Sequence, residues 1–253
     1  GPPGPVSQLA FIPPPIPTPA GEAIPAVLAA AQDSLGNPVP AFAAAVTMGF
    51  GANPGGGTLA GTTTVTAAGG VATFSTLSID KSGTGYRLTA TSGSLTKTSA
   101  AFSITPAAAT QLSFSVQPVT TQAGAMIAPA VRVAGVDPFG NTATSFAGAV
   151  TLTLEANPAS GALSGTTTVV AANGIATFST LSIDKMGSGY TLRATATGLT
   201  ETTSAAFDIV TAVATQLVFT AQPVTTSAGG TLPPVLVAAQ DSLGNTVPDF
   251  TDA

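Results

Sequence analysis

A stretch of ten residues occurs twice letter for letter: Ala72-Thr-Phe-Ser-Thr-Leu-Ser-Ile-Asp-Lys81 returns as Ala176-Thr-Phe-Ser-Thr-Leu-Ser-Ile-Asp-Lys185. Self-similarity at a fixed period makes the chain a tandem array, in which each copy must be one folding unit. Val71, Leu77 and Ile79 fall on one side of an extended chain and Phe74 on the other. The alternation therefore changes phase near Ser75-Thr76, as at a bulge or a strand end, and the period is that of a strand.

Three copies open on matching segments, Gln8-Leu-Ala-Phe11, Gln111-Leu-Ser-Phe114 and Gln216-Leu-Val-Phe219, about a hundred positions apart, a length that can bury its own core. Each opening strand runs into a Pro-bearing segment, Ile12 to Pro19 in the first copy, which belongs at a sheet edge or outside the sheet because Pro cannot donate to a ladder. A reading of Pro13 to Pro19 as a polyproline ligand competes with that edge role.

The second strand ends in the same turn three times: Asp33-Ser-Leu-Gly-Asn37, Asp137-Pro-Phe-Gly-Asn141 and Asp241-Ser-Leu-Gly-Asn245. Asp can cap such a turn and Gly-Asn can take positive φ. Calcium would need more oxygen ligands than one Asp and one Asn supply. The next strand holds Val46 or Val150, followed by the loops Asn53-Pro-Gly-Gly-Gly57 and Asn157-Pro-Ala-Ser-Gly161. Their continuation is β-branched, not helical, which argues against a phosphate cradle. Ala68-Gly-Gly70 and Ala172-Asn-Gly174 are expected to close a tight hairpin into the duplicated strand.

Tyr86 and Tyr190 follow Gly-x-Gly at one repeat position, where a tyrosine corner would return the hydroxyl to a backbone group; stacking on a sugar is the competing use. Phe11, Phe42, Phe74 and Phe102 recur as Phe114, Phe146, Phe178 and Phe207, with Phe219 and Phe250 in the third copy, the pattern of inward-facing core positions. Seven strand segments per complete copy, with turn signals between them, predict an all-β fold of tandem seven-stranded β-sandwiches, two complete and a third incomplete. The expected boundaries are a linker over 1–7, repeats over 8–106 and 107–211, and the first two strands of a third over 212–253.

Composition limits the chemistry. Charged residues are 7% of the chain, against about a quarter in ordinary soluble domains. The six Lys and Arg are scattered singly from Lys81 to Arg193, so no phosphate-binding patch exists and nucleic acid is not expected as a partner. His, Cys and Trp are absent, which removes the commonest general base, the thiol nucleophile and the widest stacking platform. The repeated acids Asp33 with Asp137 and Asp80 with Asp184 each stand alone in a turn, so a two-carboxylate hydrolase has little support; Lys81 and Lys185 could pair with the adjoining Asp at the surface. We therefore expect no catalytic residues, no cofactor, no metal and no enzyme activity. No apolar run approaches the roughly 20 residues of a membrane helix, and Gly1-Pro-Pro-Gly-Pro5 is unlike a signal peptide, so any signal or anchor is expected outside this stretch.

The order Asp-x-x-Gly-Asn, a Val-Thr strand, Asn173-Gly-Ile-Ala-Thr-Phe178, then Gly-x-Gly-Tyr and Leu-x-Ala-Thr resembles the bacterial immunoglobulin-like repeats of invasin and intimin type and of large surface adhesins, over nearly the whole chain. That resemblance implies a surface-displayed, extracellular structural repeat of a filament, stalk or adhesin, without catalytic residues. The expected partners are like subunits or adjacent repeats; the alternative function is a glycan- or protein-binding module that uses end loops such as Pro54 to Gly57 and Pro158 to Gly161. Ser34 and Ser242, in Asp-Ser-Leu, are candidate O-glycosylation sites. In the third copy Leu217, Phe219, Val235 and Val237 cannot be buried by two strands and are candidate inter-subunit strand contacts, unless the copy continues in a longer array.

Overall fold

The computed structural model describes residues 4–251, and all regular structure among them is β-strand. The chain divides into two compact units: one runs to Ala108 and takes in Val136–Ala143, the other holds Ala109–Gly135 and the remainder from Thr144.

In the first unit, Gln8–Phe11, Val27–Gln32 and Val71–Phe74 form a three-stranded antiparallel sheet in that spatial order. A second sheet runs Thr18–Pro19, Phe102–Thr105, Gly83–Ser92, Ala45–Ala52, Thr64–Thr66, and Leu95–Thr98 adds to Gly83–Ser92. Alternation puts Val27, Ala29 and Ala31 on the inner face of the first sheet; Val46, Met48, Leu88 and Ala90 face them from the second, and all join one buried cluster with Phe74, Phe102 and Ile104. Two sheets closing on one core is a sandwich. Thr18–Pro19 lies at the sheet edge, the place where proline's missing N–H is harmless.

The second unit repeats this plan. Gln111–Val116, Val131–Val136 and Ile175–Phe178 form one sheet, and the strands around Ala149–Leu154, Leu192–Thr195 and Phe207–Val210 face it across a core of Leu112, Val133, Leu152, Phe178, Leu192 and Ile209. The strand that carries the tyrosine is continuous over Gly83–Ser92 in the first unit but is broken between Tyr190 and Leu192 in the second. Beyond this core, Gln216–Ala221 pairs with Leu236–Gln240 as an antiparallel two-stranded sheet.

Two local expectations change, and one pair of alternatives is resolved. The turn at Ala68–Val71 is tight, with Ala68 and Val71 exchanging both backbone hydrogen bonds, yet its flanking strands do not form a hairpin. Thr64–Thr66 pairs with Ala45–Ala52 and Val71–Phe74 with Val27–Gln32, so the turn carries the chain from one sheet to the other; the same holds at Ala172–Ile175. The phase change at Ser75-Thr76 is a strand end, and it brings Phe74, Leu77 and Ile79 all into the core while Val71 is half-buried. Of the recurring phenylalanines, Phe74, Phe178, Phe102 and Phe207 are buried, whereas Phe11, Phe42, Phe114 and Phe146 are only half-buried and Phe219 and Phe250 are exposed. A sandwich core takes the ring from central positions and leaves those beside turns and edges at its rim.

Candidate functional site

The Asp-x-x-Gly-Asn turn and the loop after the duplicated decapeptide form the most elaborate polar structure in the molecule. At Asp137 one carboxylate oxygen accepts the backbone N–H groups of Phe139 and Asn141, each at 2.9 Å; the other accepts Ala107 N–H at 3.0 Å and the Asn141 side-chain amide at 2.8 Å. Burial raises the carboxyl's pKa, but the Asn141 side chain and then the backbone donors outweigh it and hold the group below its ordinary range. Four donors on one buried carboxylate leave little for a cation, so the arrangement suits a turn and not a calcium site.

Asn141 is the second half of the device. Its amide donates to the Asp80 carbonyl at 2.9 Å, and its side-chain oxygen accepts the Ser82 N–H at 3.0 Å. One planar amide thus reads a donor and an acceptor of the loop's backbone, as a neighbouring strand would. Lys81 Nζ donates to the Phe139 carbonyl, which replaces the expected surface pairing of Lys81 with Asp80. The Asp80 carboxylate instead accepts Thr58 N–H at 2.6 Å, and Tyr86 Oη donates to the Lys81 carbonyl at 2.8 Å. Backbone N–H groups offer a carboxylate a fixed, desolvated partner, whereas an exposed lysine is free to leave it. All these contacts lie within the first unit, because Val136–Ala143 belongs to it.

Within the second unit the same geometry returns with different side chains around it. Asn245 donates to the Asp184 carbonyl at 2.9 Å and accepts Met186 N–H at 3.2 Å; Lys185 Nζ donates to the Leu243 carbonyl at 3.2 Å. Asp241 accepts from Leu243 and Asn245, and its pKa is lowered: burial raises it, and the Asn245 side chain leads the donors that overcome burial. Asp184 accepts Ala162 N–H at 2.6 Å and Tyr190 Oη donates to the Lys185 carbonyl at 2.9 Å. Both tyrosines are fully buried and their pKa values are raised chiefly by that burial. They are tyrosine corners that brace the loop from inside, and neither ring is open to a sugar.

An apolar contact completes the second and third of these turns. Phe139 covers Gly21, whose φ is +77°, and a methyl group there would overlap the ring; Leu243 covers Gly124 in the same way, 2.8 Å from where a Cβ would sit. In the first copy nothing corresponds among the described residues. Asp33 accepts Leu35 N–H and Asn37 N–H at 2.9 Å and the Asn37 amide at 3.0 Å, and its carboxyl is brought down to about 2, first by the Asn37 side chain. Asn37 itself is exposed, and Leu35 is 85% exposed, against 38% for Phe139 and 40% for Leu243.

The remaining candidate residues are dispersed. Asn53 brackets its own loop, donating to Gly57 O and accepting Gly57 N–H, each at 2.8 Å; Asn157 and Gly161 do the same, so these Gly-rich loops are satisfied from within. Ser34 and Ser242 are exposed at the tips of the first and third turns. Leu217, Phe219, Val235 and Val237 are exposed together on the last strand pair and its approach. Sequence reading singles out the turn but misses the amide's reach to residues 80–82. The signal lies in the constant separation of Asn141 and Asn245 from Asp80 and Asp184, which only a fold can turn into contact.

No family model matches the chain, and no curated protein matches it. Solved structures similar to it include FdeC, an Escherichia coli adhesin (17% identity, 98% of this chain, 78% of that one, TM-score 0.46). Others are domains 4–9 of the surface layer protein SbsC (17%, 98%, 38%, TM-score 0.33) and a β-glycosidase from Bacteroides vulgatus (12%, 75%, 23%, TM-score 0.37). The chain thus spans well under two thirds of the last two. Likeness at these scores is too slight to carry a function.

Proposed function

We propose that the chain is a non-enzymatic structural repeat of an extracellular bacterial filament, stalk or adhesin, a spacer in which the Asp-Asn turn of one copy clasps the loop of the copy before it. The observation that carries this reading is the recurrence of one contact set at Asn141 and Asn245, each closing on the loop at the end of the duplicated decapeptide. A clasp made to backbone atoms at two points resists bending of the link between copies, and buried hydrogen bonds do so without the long-range repulsion that a charged contact would bring. The surface location and the adhesin or filament role come from the family that the sequence motifs resemble. On the same reading Ser34 and Ser242 are open to glycans, and Leu217, Phe219, Val235 and Val237 await a covering sheet.

Residual dipolar couplings test the coupling. In the native chain the first two copies should share one alignment tensor, and Asn141→Ala should give them separate tensors while their cores stay folded. Separate tensors in the unaltered chain would remove the spacer reading.

A further inference from the structure

The first copy carries the same turn as the other two, with the same internal hydrogen bonds, but its outward groups have no partner among the described residues. We infer that the Asp33–Asn37 turn is a docking face for the loop end of a second copy of this repeat: residues equivalent to Asp80–Ser82, with the glycine equivalent to Gly21 beneath Leu35. The occupant follows from what covers the equivalent positions. Asn141 is 7% exposed and Asn245 5%, each closed by such a loop, while Asn37 is exposed. Phe139 and Leu243 each cap a glycine, while Leu35 stands clear.

The approach is prepared as well. Gly4 N–H donates to the second carboxylate oxygen of Asp33 at 3.2 Å, the bond that Ala107 makes to Asp137 at 3.0 Å and Ala212 to Asp241 at 3.4 Å. Gly4, Ala107 and Ala212 therefore mark one position, the point at which a chain entering from a preceding loop end joins the turn. Asn37 already donates one amide hydrogen to Asp33, which fixes the plane of the group. Its other hydrogen and its oxygen are left for a backbone carbonyl and an N–H, the pair that Asp80 and Ser82 present to Asn141. Because the loop is read through its backbone, Ser82 and Met186 serve equally, and the occupant is defined by loop shape and not by one side chain. A single contact of this size binds weakly between separate chains; tethering raises the effective concentration to millimolar and makes docking complete.

This inference rests on the clasp reading, and the test separates the two. The full chain is extended by a second copy of residues 4–106, Pro106 joined to Gly4, and labelled with ¹⁵N-asparagine. A second extended chain uses residues 107–211, Thr211 joined to Gly4, and so offers the Asp184–Met186 loop. In both, the side-chain amide of Asn37 in the original chain should leave its free position, join the class of Asn141 and Asn245, and exchange its hydrogens about tenfold more slowly or beyond. In the first extended chain the graft's own Asn37 should stay at the free position and serve as the internal reference. If Asn141 and Asn245 are protected but neither graft protects Asn37, the docking face is disproved and the clasp stands. If Asn141 and Asn245 exchange as fast as Asn37, the clasp reading fails with it.

Discussion

The first strand pair and the last are built on one register and end in different surroundings. Gln8 faces Gln32 and Leu9 faces Ala31; Gln216 faces Gln240 and Leu217 faces Ala239. The turns that follow are alike to the hydrogen bond, with Asp33 N–H to Asn37 O and Asp241 N–H to Asn245 O both at 3.0 Å. Yet Leu9 is 1% exposed and Leu217 66%. Pairing and turn are thus settled locally, by Asp capping and the alternation of side chains, whereas burial comes from Phe74, Leu88 and the second sheet, a cover that no other described residues give the last pair.

The sharpest way to break that comparison is to remove the cover from the first pair. Phe74→Ala should cost the first unit about 3–5 kcal/mol in denaturant unfolding, the range for a buried aromatic ring. Next, Leu9→Ala should cost about 2–5 kcal/mol and Leu217→Ala less than about 0.5 kcal/mol, since only the first empties a packed site. Equal losses at the two leucines would mean that the last pair is covered in solution.

Asn141→Ala should cost about 1–2 kcal/mol by unpairing Asp80 O and Ser82 N–H, and Asn37→Ala less, because Asn37 holds only its own turn. Tyr190→Phe should cost about 1 kcal/mol, the Lys185 carbonyl losing its hydroxyl donor while the ring stays packed. The finest test is acid. A carboxyl whose folded pKa is depressed contributes stability above its unfolded value and loses it as pH falls through the folded one. For Asp33 that window runs from 3.8 down to about 2, and Asp241, in the uncovered pair, should shift in the same direction. Carboxyl ¹³C titration checks both; Asn37→Ala should carry the Asp33 midpoint back toward 3.8.

What can be read from the chain follows the same division. Strand periods, the edge proline segment and the capped turn depend on neighbours in sequence, and they are visible in Val27–Gln32, Thr18–Pro19 and Asp137–Asn141. The sheet switch at Ala68–Val71 is not, because a tight turn looks the same whether its strands pair or part. Nor is the depth of Phe42 or Phe146, which is decided by distance from the middle of a sheet and not by residue type. Sequence proximity points Lys81 to the carboxylate beside it, while its partner lies 58 positions on, at Phe139 O.

The asparagine clasp touches main-chain atoms, which every residue supplies, and Ser82 and Met186 answer it alike. On the proposed spacer reading, repeats joined in this manner would be interchangeable parts: one could be deleted, duplicated or shuffled without redesigning the joint, and the reach of the array would change by whole units.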